Sequence, residues 1–168
     1  VDPLTGRFYM RTQLEGIFND ETLLFDLDRA LPIGSERSLV GNDRKKVVIL
    51  VTKEAHCLGD ILIKVFDGSL PLDILAVIGN HANLQQLTEK FDIPFHFISH
   101  EQLSREAHEA QLLAKIAEYK PDYLVLAKFM RVLSPTFVKQ YPNRIINIHH
   151  SFLPAFIGAN PYRQAFER

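Results

Sequence analysis

Asn147 and His149 lie two residues apart at the end of a short apolar run, Arg144 to Ile148, followed by His150, Ser151, Phe152, Leu153 and Pro154. The run is Ile-rich and bounded by Pro142 and Pro154, which favours a buried strand over a helix and suits the centre of a parallel sheet. Residues two apart on a strand share a face, with Cα atoms about 6.5 Å apart. The spacing therefore aims an amide and an imidazole the same way at the carboxyl end of the strand, where open α/β sheets bind ligands. Such a pair suits attack on a small carbonyl. The amide N–H can stabilise the oxygen of a tetrahedral intermediate, and an imidazole titrating near pH 6.5 can move a proton at neutral pH. The same spacing also fits a plainer arrangement, with Asn147 capping the strand and both histidines as ordinary loop residues.

The surroundings favour the chemical reading. The stretch from Asn147 to Tyr162, NIHHSFLPAFIGANPY, resembles the signature of the formyltetrahydrofolate deformylase family, hydrolases related to the folate-dependent formyltransferases. Ala127 to Pro135, AKFMRVLSP, resembles the folate-binding segment of the same family, and with Val47 to Asp60 the similarity covers essentially the whole chain. The resemblance implies hydrolysis of 10-formyltetrahydrofolate to formate and tetrahydrofolate, which supplies formate for purine synthesis and balances one-carbon pools. It assigns Asn147 to the formyl oxygen and His149 to acid–base work at the leaving N10. Backbone groups of Met130, Arg131, Val132 and Leu133 would hold the flat pterin ring. His150 is a weaker candidate, because an adjacent strand residue points away unless the chain has already turned. An alternative for Met130, Val132 and Leu133 is ordinary core filling. The family's catalytic Asp is expected beyond Arg168. Its substrate would be the folate, its second reactant water, with no permanently bound cofactor and a homo-oligomeric assembly.

Two other functions compete. A formyltransferase acting on a phosphorylated amine such as glycinamide ribonucleotide needs a phosphate cradle, and the turn Thr52 to Gly59 has one glycine, an acidic residue and no Gly-x-Gly. A non-catalytic regulatory or binding fragment is the third possibility.

Composition sets the outer limits. At 168 residues and 46% hydrophobic side chains the chain can bury one substantial core, or a core plus an appendage. A formal net charge of −1 leaves no electrostatic footprint for nucleic acid or an anionic membrane. Neither an apolar run near 18 residues nor an export leader is recognisable, so a cytoplasmic home is the expectation. The single Cys57 has no partner for an internal disulfide and reads as a small buried or helix-start thiol rather than a nucleophile. His81, His96, His100 and His108 are scattered, and no metal site is expected.

The elements that would position the site follow from periodicity. Alternation over residues 7 to 14, helical spacing of Leu23, Leu24, Leu27 and Leu31, and a run from Glu36 to Val40 predict strand, helix and strand. That order resembles the second half of an ACT domain and sets residues 1–41 apart as a partial ACT-like α+β module. Residues 42–168 then form the formyltransferase-like domain. Strands are expected at Val47–Val51, Asp73–Ile78, Phe95–Ile98, Tyr123–Ala127 and Arg144–Ile148, with helices over Asn83–Phe91, from Ser104 to Lys120, and from Ser134 to Tyr141. The fold class is α/β, a Rossmann-like, mostly parallel sheet. Val1 opening on a turn and Arg168 falling inside a predicted helix lead to the expectation of a chain cut at both ends, with a final part of the catalytic domain missing.

Overall fold

The computed structural model describes residues 6, 8–41 and 43–147. By its internal contacts the chain divides into two units, Val1–Asn42 and Asp43–Arg168.

In the first unit, α1 spans Asp20–Ala30. Asn19 caps it, its side chain accepting from the Thr22 N–H at 3.0 Å, and Asp20 and Glu21 place negative charge at the positive end of the helix dipole. The helix stops at Leu31, whose extended backbone leads into Pro32. The strands expected at 7–14 and at Glu36–Val40 do not form among the described residues. Alternating side chains satisfy only the faces of a strand. Its backbone N–H and C=O groups also need a neighbour, and the sheet among the described residues is the five-stranded one of the second unit. Phe8, Tyr9 and Met10 are accordingly exposed.

The second unit runs β1 (Lys45–Val51), α2 (His56–Phe66), β2 (Leu72–Gly79), a 3-10 turn (Ala82–Leu84), α3 (Gln85–Glu89), β3 (Phe95–Phe97), α4 (Arg105–Tyr119), β4 (Tyr123–Ala127), α5 (Pro135–Gln140) and β5 (Ile145–Asn147). All neighbouring strands pair in parallel, in the order β3-β2-β1-β4-β5. From Val47 to Val51, β1 is apolar on both faces because both are covered. Val48 and Leu50 pack with Ala76, Ile78, Leu112, Ile116 and Leu124 on one side, while Val47, Ile49 and Val51 pack with Leu58, Leu62 and Val77 on the other. The period-2 alternation of each strand thus feeds two cores, with α4 over one and α2 over the other.

Helix α2 was not among the expected elements. Leu58 and Leu62, one turn apart, bury the face that makes the segment a helix, and Cys57 stands in its first turn. The helix expected over Asn83–Phe91 is shorter, a 3-10 turn followed by one α-turn. β3 ends at Phe97 rather than Ile98. Helix α4 is capped by Ser104, which accepts from the Ala107 N–H at 3.1 Å, and ends where Lys120 turns left-handed (φ 48°) before Pro121.

Gly79, the last residue of β2, is required by a close approach. A Cβ there would lie 2.6 Å from Cζ of Phe95 and 2.7 Å from the carbonyl oxygen of His81. Gly79→Ala should therefore cost about 1–3 kcal/mol of stability through overpacking. Urea unfolding checks this, and an unchanged midpoint would mean the neighbours yield freely.

Candidate functional site

The chain passes from β1 to β2 on one side of the sheet and returns to β4 on the other, so the topological switch point lies between β1 and β4. The turns that leave these two strands meet there. The Met130 N–H donates to Oγ1 of Thr52 at 3.0 Å, and the ammonium of Lys128 donates to the carboxylate of Glu54. His56 Nδ1 stands 3.6 Å from the same carboxylate. Chiefly the hydrogen bond from Lys128, assisted by the charges of Lys128 and His56, holds the Glu54 carboxyl below its usual range against a smaller opposing effect of desolvation. Lys128 itself adopts φ 55°, which swings the chain out of β4 into the following loop.

That loop carries the predicted ring-binding residues. Phe129 is buried and Leu133 packs against the α4-side core, so core filling describes these two. It does not describe Met130 and Val132, which are 60% and 78% exposed. The loop is held at its entry by Thr52, at its middle by Arg105, and at its exit by Glu109. Arg105 donates to the Val132 carbonyl from Nε at 3.1 Å and from Nη2 at 2.8 Å. Glu109 accepts from the Ser134 N–H at 2.8 Å and from the Ser134 hydroxyl, while Ser134 Oγ accepts from the Phe137 N–H at 3.1 Å as the cap of α5. Among the described residues nothing pairs with the backbone groups of Arg131 or with those of Leu133. Among the described residues they stay open to a ligand that presents hydrogen-bonding edges.

The strand expected at Arg144–Ile148, buried in the centre of the sheet, is β5. Among the described residues it pairs with β4 alone and leaves Ile146 and Asn147 exposed. Asn147 is in register with Leu126 of β4. Adjacent strands are about 4.8 Å apart, so its amide stands one strand from the switch point, on the carboxyl side shared with the 128–134 loop. His149 and His150 lie outside the described residues. Thr52, Lys128, Arg105 and Glu109 were not anticipated. Only Glu109 carried a signal, an acid three residues before Leu112 on the apolar stripe of α4, where a carboxylate must find a partner.

A second polar cluster lies at the ends of β2 and β3. Asn80, 3% exposed, contacts His100 through Nδ2 and Nδ1 at 3.3 Å, and its buried Oδ1 has no partner among the described residues. The ring of His100 is 5.2 Å from that of His81 and 6.1 Å from that of His108. His108 is 1% exposed, and its Nε2 donates to the Ile98 carbonyl at 3.2 Å. Burial lowers the His108 pKa, opposed by the Ile98 carbonyl and assisted by the charges of Arg131 and His100. Burial is also the first cause of the lowered values of His81 and His96, followed by Lys53 and by Lys115 respectively. Neutral imidazoles in the fold, against an unfolded value near 6.5, fix the sign. The native state has its full stability above that value and loses it as pH falls from there through the lowered folded values, because the unfolded chain takes up more protons. Urea unfolding at about pH 7.5 and about pH 5.5 should show the loss, and His108→Gln should shrink it. An equal loss in that variant would clear His108 of the effect.

Among the described residues no group of three or more His, Cys, Asp or Glu side chains could hold a metal ion, and no helix is long and apolar enough to cross a membrane. Cys57 is half-buried in the first turn of α2.

Residues 45–168 match the family model described as Formyl transferase. The chain belongs to the formyl transferase family. All 168 residues align at 64% identity with a protein of Escherichia coli O6:H1 named formyltetrahydrofolate deformylase, of which they cover 60%. The chain thus spans about three-fifths of the length of the curated relatives to which it is 63–64% identical. A formyltetrahydrofolate deformylase structure from Pseudomonas syringae pv. tomato superposes with a TM-score of 0.70 at 38% identity, covering 75% of this chain and 42% of that one. A phosphoribosylglycinamide formyltransferase structure from Brucella melitensis reaches 0.67 at 31% identity, over 74% and 67%. The parallel five-stranded sheet with its covering helices is the Rossmann-like formyl transferase arrangement.

Proposed function

We propose that the protein hydrolyses 10-formyltetrahydrofolate to formate and tetrahydrofolate. The observation that carries this is the 64% identity, over every residue of the chain, with a protein named formyltetrahydrofolate deformylase. Water adds to the formyl carbon, and the Asn147 amide donates to the formyl oxygen as it gains negative charge. The C–N10 bond then breaks, with His149 as the acid that delivers a proton to the leaving nitrogen. His150 remains the weaker candidate for acid–base work. The backbone of Met130, Arg131, Val132 and Leu133 receives the pterin ring, a role supported by the backbone groups of Arg131 and Leu133, which nothing among the described residues pairs with. No permanently bound cofactor takes part. A cytoplasmic homo-oligomer that supplies formate for purine synthesis, with the C-terminal part of an ACT-like module in residues 1–41, completes the reading.

The competing reaction is transfer of the formyl group to glycinamide ribonucleotide, favoured by the fold shared with the Brucella enzyme. Against it stands the turn after β1, where Glu54 places a carboxylate and no Gly-x-Gly cradle awaits a phosphate. Tetrahydrofolate release from 10-formyltetrahydrofolate, followed by absorbance in the full-length protein, should proceed unchanged by added glycinamide ribonucleotide. Release that requires the amine would establish the transferase. Folate binding without release would establish a binding protein.

A further inference from the structure

Taking the folate reading of the 130–134 loop as given, we propose that Glu109 is a positioning residue that sets the direction of the Leu133 backbone groups offered to the ring. Glu109 is 6% exposed, and a buried carboxylate costs several kcal/mol unless its oxygens are paired. Both oxygens are used on one residue: Oε1 accepts from the Ser134 N–H at 2.8 Å and Oε2 from the Ser134 hydroxyl, with Arg105 Nε 3.7 Å from Oε1. Capping α5 needs no such arrangement. Ser104 and Asn19 cap α4 and α1 through their own side chains alone.

The consequence follows from peptide planarity. In a trans peptide the N–H and the preceding C=O point in opposite directions. Ser134 N–H is aimed at Glu109 on α4, so the Leu133 C=O points away from α4. The Val132 C=O is aimed at Arg105 on the same helix, so the Leu133 N–H also points away from it. Arg105 and Glu109, one helical turn apart, thereby present the donor and the acceptor of a single residue on the side facing away from α4. A flat heterocycle with an adjacent acceptor and donor on one edge matches that pair. Holding the pair before the ligand arrives removes an ordering cost from binding.

The test uses the full-length protein with tetrahydrofolate as the probe. Glu109→Ala, and Glu109→Asp, which is too short by one methylene, should each raise both the tetrahydrofolate Kd and the KM at least about 10-fold, with kcat changed by less than about threefold. Glu109→Gln keeps the length and an acceptor for the Ser134 N–H, and should restore most of the affinity. Ile116→Val on the same helix should lower the melting temperature without moving Kd, which separates positioning from general loosening. Folded Ala or Asp variants with wild-type Kd overturn the proposal; if Glu109→Ala does not fold, the Asp variant decides. Hydrogen exchange at the Ser134 amide, whose N–H is bonded to Glu109, read without ligand, should be faster in Glu109→Asp than in Ile116→Val. An unbound tetrahydrofolate in the wild type would sink the folate reading, whereas equal Ser134 exchange in the two variants would sink the role of Glu109.

Discussion

Asn147→Ala and His149→Ala, each made in the full-length protein, should lower turnover of 10-formyltetrahydrofolate at least about 10²-fold while leaving tetrahydrofolate binding nearly unchanged. The amide is assigned to an oxygen whose negative charge develops only on the way to the tetrahedral intermediate, and the imidazole to a proton that moves only as the C–N10 bond breaks. Neither interaction is made with the ground-state ring, so the expected signature is a fall in kcat with little change in affinity. Asn147 ends β5 with its side chain exposed, on the same carboxyl edge as the loop after β4, as a group directed at a bound substrate must be. Near-normal turnover in either variant would remove that residue from the chemistry. A loss of binding in proportion to turnover would move it to the folate contact instead.

What could be read from residues alone divides along the range of the interactions involved. The continuous apolar run Val47–Val51 announces a strand buried on both faces, and that is the centre of the sheet. Capping is equally local, and Ser104, Ser134 and Asn19 stand where their side-chain oxygens can reach an N–H three residues on. The failures concern partners. Residues 7 to 14 have strand-like alternation, but pattern says nothing about whether another strand lies alongside. Helix α2 carries Gly59 at a cost of about 1 kcal/mol, and the burial of Leu58 and Leu62 against the sheet outweighs it. The contacts that shape the site, Met130 with Thr52, Lys128 with Glu54 and Val132 with Arg105, join residues far apart in sequence. Side chains of these types are common on any surface, so only the folded sheet reveals which of them meet. Glu109 is the exception, since an acid on an apolar helical stripe asks for a partner before the partner is known.

The second large effect belongs to the backbone of the 130–134 loop. Proline at Arg131 or at Val132 should weaken tetrahydrofolate binding by about 5- to 150-fold, the range for one buried hydrogen-bonding group left unmade. Met130→Ala should change it by no more than about twofold, as for a surface substitution. Met130 is well exposed, and its contribution to the loop runs through an N–H that alanine retains for Thr52. Proline acts differently. It removes the N–H of its own position and drives the preceding residue towards an extended conformation, away from whatever geometry the ties to Thr52, Arg105 and Glu109 impose. A proline at Val132 would also disturb the peptide plane whose carbonyl meets Arg105, so its effect should match or exceed that of a proline at Arg131. Calorimetric titration with tetrahydrofolate, on variants shown to be folded by circular dichroism, separates the alternatives. If Met130→Ala and the proline variants lose affinity alike, the ring is held by side-chain packing, and the open backbone groups of Arg131 and Leu133 are bystanders.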